Sequence, residues 1–303
     1  MALLNVEIGP LRLKNPVLVA SGTFGYGDEC KELTDVSKIG GLITKSLTLR
    51  PRPGNKPPRI VEVSGGMLNS IGLANIGVER FINEKLPTLR ALGATIIANI
   101  AGSTVEEYCS VISTLEEHDG INGYEINISC PNVKEGGLSF GTNLAITQEI
   151  TSRLRSLTKK ALIIKLTPNV THIADYAQAA ADAGANAVTV MNTLVGMAVD
   201  VKTKKPILST VTGGFSGPAI KPIALAKIFE VRKKVNIPII GVGGIMSTMD
   251  ALEFFLVGAS AIQVGTANFV DPGIAMKIIE GISDYCDTIG LKSISDFIGT
   301  LNQ

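Results

Sequence analysis

The sequence predicts an α/β fold, a (β/α)8 TIM barrel preceded by a short N-terminal β-hairpin, and three observations support this. Eight short apolar runs recur along the 303 residues. Segments with helical periodicity separate most of them. The last two runs end in glycine-rich stretches, GVGG and GTA, the place where barrels of this kind bind phosphate.

In chain order, VEIGPLRLKN (6–15) has the pattern of a hairpin and is expected to cover the closed end of the barrel. The strand runs follow as PVLVASG, GLITKSL, TIIANIA, YEINISC, ALIIKLTP, AVTVMNT, IPIIGVGG and AIQVGTA. Helical patterning is clearest in NLAITQEITSRLRSL, IADYAQAAADAGA and TMDALEFFLVGA. An open, doubly wound sheet is the alternative; the count of eight and the glycine-rich ends of the last two runs favour the barrel. No linker or low-complexity stretch divides the chain, so residues 1–303 read as one domain.

Composition narrows the function. With 45% apolar and 18% charged residues the chain can bury one large core. Its 28 basic and 27 acidic residues leave a charge of +1, which predicts neither a nucleic-acid footprint nor a basic membrane-binding face. The start, MALLNVEIGPLRLKN, lacks the pattern of a signal peptide, and no apolar run reaches the roughly 20 residues that span a bilayer, so a cytoplasmic protein is expected. Cys30, Cys109, Cys130 and Cys286 are scattered without a C-x-x-C pair, which argues against a zinc site, an iron–sulfur cluster or a disulfide framework on this chain. His118 and His172 sit in polar, helix-like contexts and read as solvated; no metal site is expected.

Function in such a barrel sits at the carboxyl ends of the strands. Strand parity puts Glu125, Asn127 and Ser129 on one face of YEINIS and turns Asn127 inward. The same counting sets Asn99 and Lys165 opposite their apolar neighbours, and Lys45 follows on weaker grounds. An inward lysine needs a compensating partner, either a local carboxylate or an anionic guest. Finding both Lys45 and Lys165 at strand ends, as are Asn99, Asn127 and Asn192, favours the guest. Gly243 and Gly244, with Gly265 and Thr266 on the next strand, suit close backbone approach to a phosphate, and Gly217 before Pro218 offers another such contact. A plain tight turn is the alternative for each glycine taken singly. Asn69, Asn127, Asn132 and Asn192 together suit a planar ring with alternating C=O and N–H groups, whereas Asn75 alone reads as an Asx turn.

Taken together, ASGTFGYG, TKSLTLRPRPGN, NSIGLANIG, YEINISCPNVKEGG, IIKLTPNV, VMNTLVGMAVD, GGFSGPAIKP, GVGGIMS and QVGTANF resemble the class 1 dihydroorotate dehydrogenases over nearly the whole chain. GGLSFGTN, after the SCPNV motif, resembles the class 1B branch. The resemblance implies oxidation of (S)-dihydroorotate to orotate on a bound FMN in pyrimidine (UMP) biosynthesis. It also implies passage of electrons to NAD through a partner subunit carrying FAD and a two-iron two-sulfur cluster, in a heterotetramer of two catalytic and two electron-transfer subunits. Carried over by motif, Ser21, Lys45, Ser46, Asn99, Asn127, Lys165, Met191, Gly217, Gly243, Gly244, Gly265 and Thr266 would contact FMN, with Asn192 near the ring. Lys45, Asn69, Ser70, Ile71, Gly72, Leu73, Asn127, Asn192 and Thr193 would surround the substrate. Leu47 in TKSLTLRPRPGN and Ser70, Ala74 and Ile76 in NSIGLANIG depart from the family's pattern. The chain has no Rossmann fingerprint for NAD. Alternatives are the fumarate-dependent class 1A enzyme, a dihydropyrimidine dehydrogenase-type flavin subunit, which Asn132 in place of histidine argues against, and a phosphate-binding barrel isomerase without flavin.

The implied reaction removes a proton from C5 of dihydroorotate as hydride leaves C6, so it needs a base, and the resemblance assigns that base to Cys130. A free thiol has a pKa of about 8.5 and gains thiolate character mainly in mildly alkaline solution unless nearby charge lowers it. Cys130→Ala is therefore expected to abolish rapid reduction of the flavin by substrate while leaving the flavin bound. Cys130→Ser should retain a little activity at neutral pH. Stopped-flow bleaching of the flavin absorbance checks both, and near-normal reduction in the alanine variant would remove Cys130 from the mechanism.

Overall fold

The structure is a computed structural model that describes residues 2–129 and 140–302. Cys130, Pro131, Asn132, Gly136 and Gly137 lie outside the described residues. Eight parallel strands close into a barrel: Val17–Val19, Gly41–Ile43, Ile96–Ile100, Gly123–Asn127, Ala161–Lys165, Ala187–Val190, Ile239–Val242 and Ala261–Val264. They stand in chain order around the ring, and the eighth pairs with the first, Ile262 opposite Val17. Each apolar run of the sequence supplies one of them. Most of their side chains are buried on both faces, as expected where helices cover the outside of a parallel sheet.

The helices Val105–Glu116, Leu144–Leu157, Ile173–Asp182, Lys221–Arg232, Thr248–Leu256 and Ile274–Thr288 pack around this ring. Their starts are written locally. Thr104, Asn143 and Ser247 each accept a hydrogen bond from the backbone N–H three residues on, which satisfies a donor that the first turn leaves free. Their inward stripes follow the helical period, for example Val111, Ile112 and Leu115. At Gly241 in the seventh strand an added Cβ would lie 2.4 Å from Phe254 Cδ1, so the missing side chain lets the Thr248–Leu256 helix seat its aromatic ring directly on the barrel.

Strands Val6–Ile8 and Leu11–Leu13 form the expected antiparallel hairpin. Its turn at Gly9 lies against Asn186, and Leu11 approaches Gly123, both at the amino ends of barrel strands, so the hairpin covers that end. His118 and His172 are exposed. No helix among the described residues is long and apolar enough to cross a membrane.

The opposite end carries an element that the periodicity of the sequence does not announce. Two excursions, one after the second barrel strand and one after the sixth, build a four-stranded antiparallel sheet in the order Leu194–Met197, Thr212–Ser216, Gly66–Asn69, Ile60–Val63. NSIGLANIG and GGFSGPAIKP each contribute residues to it. Their strands are short and glycine-rich, and the pairing of Gly214 with Asn69 joins distant segments, so no local alternation announces them.

Phe254 is fully buried. Phe254→Ala should lower the free energy of unfolding by about 3–5 kcal/mol through lost burial and the cavity left beside Gly241. Denaturant titration of the purified chain measures it, and a loss well under 1 kcal/mol would show that the helix can collapse onto the strand without the ring.

Candidate active site

Five barrel strands and the segment after a sixth send polar side chains to one buried centre. Glu125, with no exposed surface, is its hub. Its Oε1 accepts from Asn99 Nδ2 at 2.7 Å and from Lys165 Nζ at 3.4 Å. Its Oε2 accepts from Thr189 Oγ1 at 2.8 Å and from Gln263 Nε2. Gln263 Oε1 accepts in turn from Lys165 Nζ at 3.3 Å. Asn99 Oδ1 accepts from Ser46 Oγ at 2.6 Å, and the Asn99 backbone N–H donates to Thr44 Oγ1 at 3.1 Å. Strand register explains the meeting: Asn99 is paired with Glu125, and Lys165 lies between Asn127 and Thr189 on its two neighbours.

The buried ammonium of Lys165 thus has the local carboxylate that its burial demands. Burial of the lysine alone does not require an anionic guest. Its two hydrogen bonds are long and leave one of its three donors for a ligand. Lys45 takes a different place. It is half-buried just beyond the second strand and stands outside the Glu125 network. Burial pushes its pKa down, and the Arg59 guanidinium pushes it further in the same direction, against a smaller pull from Glu29.

Above this centre Asn127 and Asn192 meet: Asn192 Nδ2 donates to Asn127 Oδ1 at 3.2 Å, and Asn192 Oδ1 accepts from the Thr193 N–H at 2.8 Å. Tyr108 OH donates to the Asn127 carbonyl at 2.7 Å and steadies the strand end. Met191 is buried beside them and its N–H donates to the Val242 carbonyl. Asn69 Nδ2 donates to the Gly214 carbonyl at 3.3 Å, and the Gly214 backbone packs against Thr193. The segment Ser70, Ile71, Gly72 and Leu73 is held from behind by Asn55, whose Nδ2 donates to the Ser70 carbonyl and whose N–H donates to the Ile71 carbonyl. Leu73 has a left-handed backbone, φ 56°. Ser70 Oγ is buried without a hydrogen-bond partner among the described residues, a polar atom that a ligand would satisfy. Asn75 is structural, accepting from the Gly77 N–H at 2.8 Å in an Asx-type turn and donating to Thr48 Oγ1 at 2.9 Å.

The ends of strands seven and eight form a glycine-lined shelf. Gly217 and Gly244 have φ of 115° and 79°, a region that side chains disfavour. A Cβ at Gly217 would fall 2.5 Å from Gly66 Cα, and one at Gly244 would fall 3.0 Å from the Gly217 carbonyl, so these loops meet backbone to backbone. Gly243 is likewise left-handed, and Thr266 Oγ1 donates to Ser216 Oγ at 2.9 Å beside Gly265. Ser21 is half-buried in the turn after the first strand, next to Ala20, which faces Gly265. A phosphate-tailed planar ligand fits this construction: a shelf of glycines and hydroxyls for the tail, and asparagines with a lysine donor for the ring. Cys130, expected as the base, lies outside the described residues.

Sequence reasoning gave no role to Glu125, Thr189 or Gln263. The signal was present, since each is the third residue of its strand, and Thr189 and Gln263 carry a polar group into otherwise apolar runs. Only Glu125 was placed on the inward face with Asn127.

A lysine whose folded pKa is lowered weakens the folded state wherever it is protonated in both states, and that cost fades as the pH rises through the folded value. Lys45→Met should therefore raise the melting temperature of the ligand-free chain at neutral pH, with the gain shrinking toward the ordinary lysine value of 10.5. Thermal melts across that range check the sign. A variant that melts lower than the wild type at neutral pH would mean that Lys45 has a stabilising partner.

The chain matches the family model described as dihydroorotate dehydrogenase over residues 3–285. It is 53% identical over 301 residues, 99% of each chain, to a Bacteroides fragilis protein named dihydroorotate dehydrogenase B (NAD(+)), catalytic subunit. Proteins of the same name from Geotalea uraniireducens and Phocaeicola vulgatus are each 51% identical to it, over 298 residues (98% of both chains) and 301 residues (99% of both chains) respectively. With a family match and near-complete coverage at this identity, the chain belongs to the dihydroorotate dehydrogenase family.

Proposed function

We propose that this chain is the catalytic subunit of an NAD-linked dihydroorotate dehydrogenase, which oxidises (S)-dihydroorotate to orotate in pyrimidine synthesis. The observation that carries the reading is the 53% identity to a protein named as such a subunit, covering 99% of both chains. The buried polar centre and the glycine-lined shelf at the barrel mouth support it.

FMN, when bound, supplies the two-electron acceptor for hydride from C6 of the substrate. Gly217, Gly243, Gly244, Gly265 and Thr266 would hold its phosphate, and Ser21, Ser46, Asn99, Asn127, Lys165 and Met191 would hold the rest. Lys165, paired with Glu125, would offer its remaining donor to the side of the cofactor that gains negative charge. Asn69, Asn127 and Asn192 hold the ring of dihydroorotate through paired donor and acceptor groups, and Ser70, Ile71, Gly72, Leu73 and Thr193 close around it. Lys45 gives its ammonium to the substrate's carboxylate, which would relieve the unfavourable burial and the repulsion from Arg59. Cys130 takes the C5 proton. Asparagines fix the ring by hydrogen bonds of defined direction, so the C5 proton and the C6 hydride are presented to fixed positions.

Electrons then need a route to NAD, which this chain's sequence gives no fingerprint to bind. The reading therefore includes a partner subunit bearing FAD and a two-iron two-sulfur cluster, assembled as two catalytic and two electron-transfer subunits, in the cytoplasm. The purified chain should be yellow and should reduce artificial dyes with dihydroorotate while reducing NAD poorly; adding the partner subunit should restore NAD reduction. Full-rate turnover of the isolated chain with fumarate would reassign the acceptor and leave the dihydroorotate chemistry intact. A colourless chain without dye reduction would remove the flavin reading altogether.

A further inference from the structure

Among the described residues, Glu125 is the acidic side chain without exposed surface, and the proposed reaction gives it no part. We infer that Glu125 is a positioning residue for Lys165: the Glu125–Lys165 pair, rather than the lysine alone, sets the charge presented at the base of the flavin site. This rests on the flavin reading and deepens it.

Four donors from four different strands converge on the carboxylate: Asn99, Thr189, Gln263 and Lys165. Asn99, Gln263 and Lys165 each bring an N–H group to it and Thr189 brings a hydroxyl, so both carboxylate oxygens are engaged. Held on both oxygens, it cannot turn away from the lysine. Lys165 carries its charge on a flexible stem and, taken alone, would place that charge loosely. Here its ammonium is tied from one side by Glu125 Oε1 and by Gln263 Oε1, at 3.4 and 3.3 Å. Gln263 spans the pair, with its amide nitrogen toward the carboxylate and its amide oxygen toward the ammonium. That orientation locks the two charges into one arrangement.

The electrostatic consequence follows from burial. In an interior screened less than water, a carboxylate beside the ammonium cancels much of its field. Negative charge arriving from the ligand side then meets the remaining donor of a nearly neutral pair. A carboxylate that served only to let the lysine fold inside the barrel would be replaceable by any group that fills the space and accepts the hydrogen bonds. One that sets the charge would not be replaceable by its own amide.

The test compares Glu125→Gln with Glu125→Asp. Apo-protein is titrated with oxidised and with chemically reduced FMN, and the ratio of the two dissociation constants is read with no substrate present. In Glu125→Gln the reduced form should tighten relative to the oxidised form by about tenfold, equivalent to a potential about 30 mV more positive for a two-electron couple. Glu125→Asp keeps the charge while shortening the reach and should leave the ratio close to that of the wild type. An unchanged ratio in Glu125→Gln, or an equal shift in Glu125→Asp, would overturn the inference while the flavin reading stands. If Glu125→Gln does not fold, the double exchange with Lys165→Met removes both buried charges together. A ratio near that of the wild type in the double variant supports the screened pair. A fall of about tenfold would mean that Lys165 acts unscreened and would overturn it. Wild-type chain that binds neither form of FMN would overturn the flavin reading and this inference with it.

Discussion

A carboxylate sealed inside a barrel is the constraint on which the rest of this molecule is arranged. Taking Glu125 out of water costs several kcal/mol, and the cost is met only if its oxygens are filled by donors in good geometry. Asn99, Thr189, Lys165 and Gln263 fill them, and they come from the third, sixth, fifth and eighth strands, so the ring must close in one stagger for the carboxylate to be satisfied. Apolar packing of the barrel wall would tolerate neighbouring arrangements more readily than this network does. The polar centre thus ties the specificity of the fold to the position of the site.

The site is built outward from that centre in layers of decreasing burial. Lys165 and Asn99 are buried and fixed by strand pairing. Asn127 and Asn192 stand at strand ends, half-exposed, and hold each other. Beyond them Asn69 to Leu73 belongs to the sheet above the barrel and depends on Asn55 and Gly214 for its place. This gradient matches what each layer is asked to do in the proposed reaction. Groups around a resident cofactor stay put, whereas groups around a substrate must let it enter and leave.

Lys45 and Lys165 illustrate how two lysines at the carboxyl ends of barrel strands come to differ. Lys165 has a carboxylate and an amide oxygen, and its charge is balanced within the protein. Lys45 has burial and Arg59 against it, with a weaker attraction to Glu29. In the proposed reaction the substrate's carboxylate meets that cation.

The sequence by itself determined the barrel and the family of residues from which its site is made. The alternation of inward and outward side chains is a property of an extended backbone with period two, so Asn99, Asn127 and Lys165 were legible as a set, and helix starts at Thr104, Asn143 and Ser247 are equally local. The glycines at 217, 243 and 244 were legible because their backbone conformation excludes other residues. Which inward groups touch was decided by the tertiary structure. Glu125 and Gln263 are 138 residues apart, and only closure of the ring with its particular stagger brings Gln263, Thr189 and Lys165 to one carboxylate. The sheet over the mouth was decided the same way, since Asn69 and Gly214 acquire their strand character from each other and not from their own neighbours. Periodicity is written along the chain, whereas contacts across the ring depend on a closure that no single segment encodes.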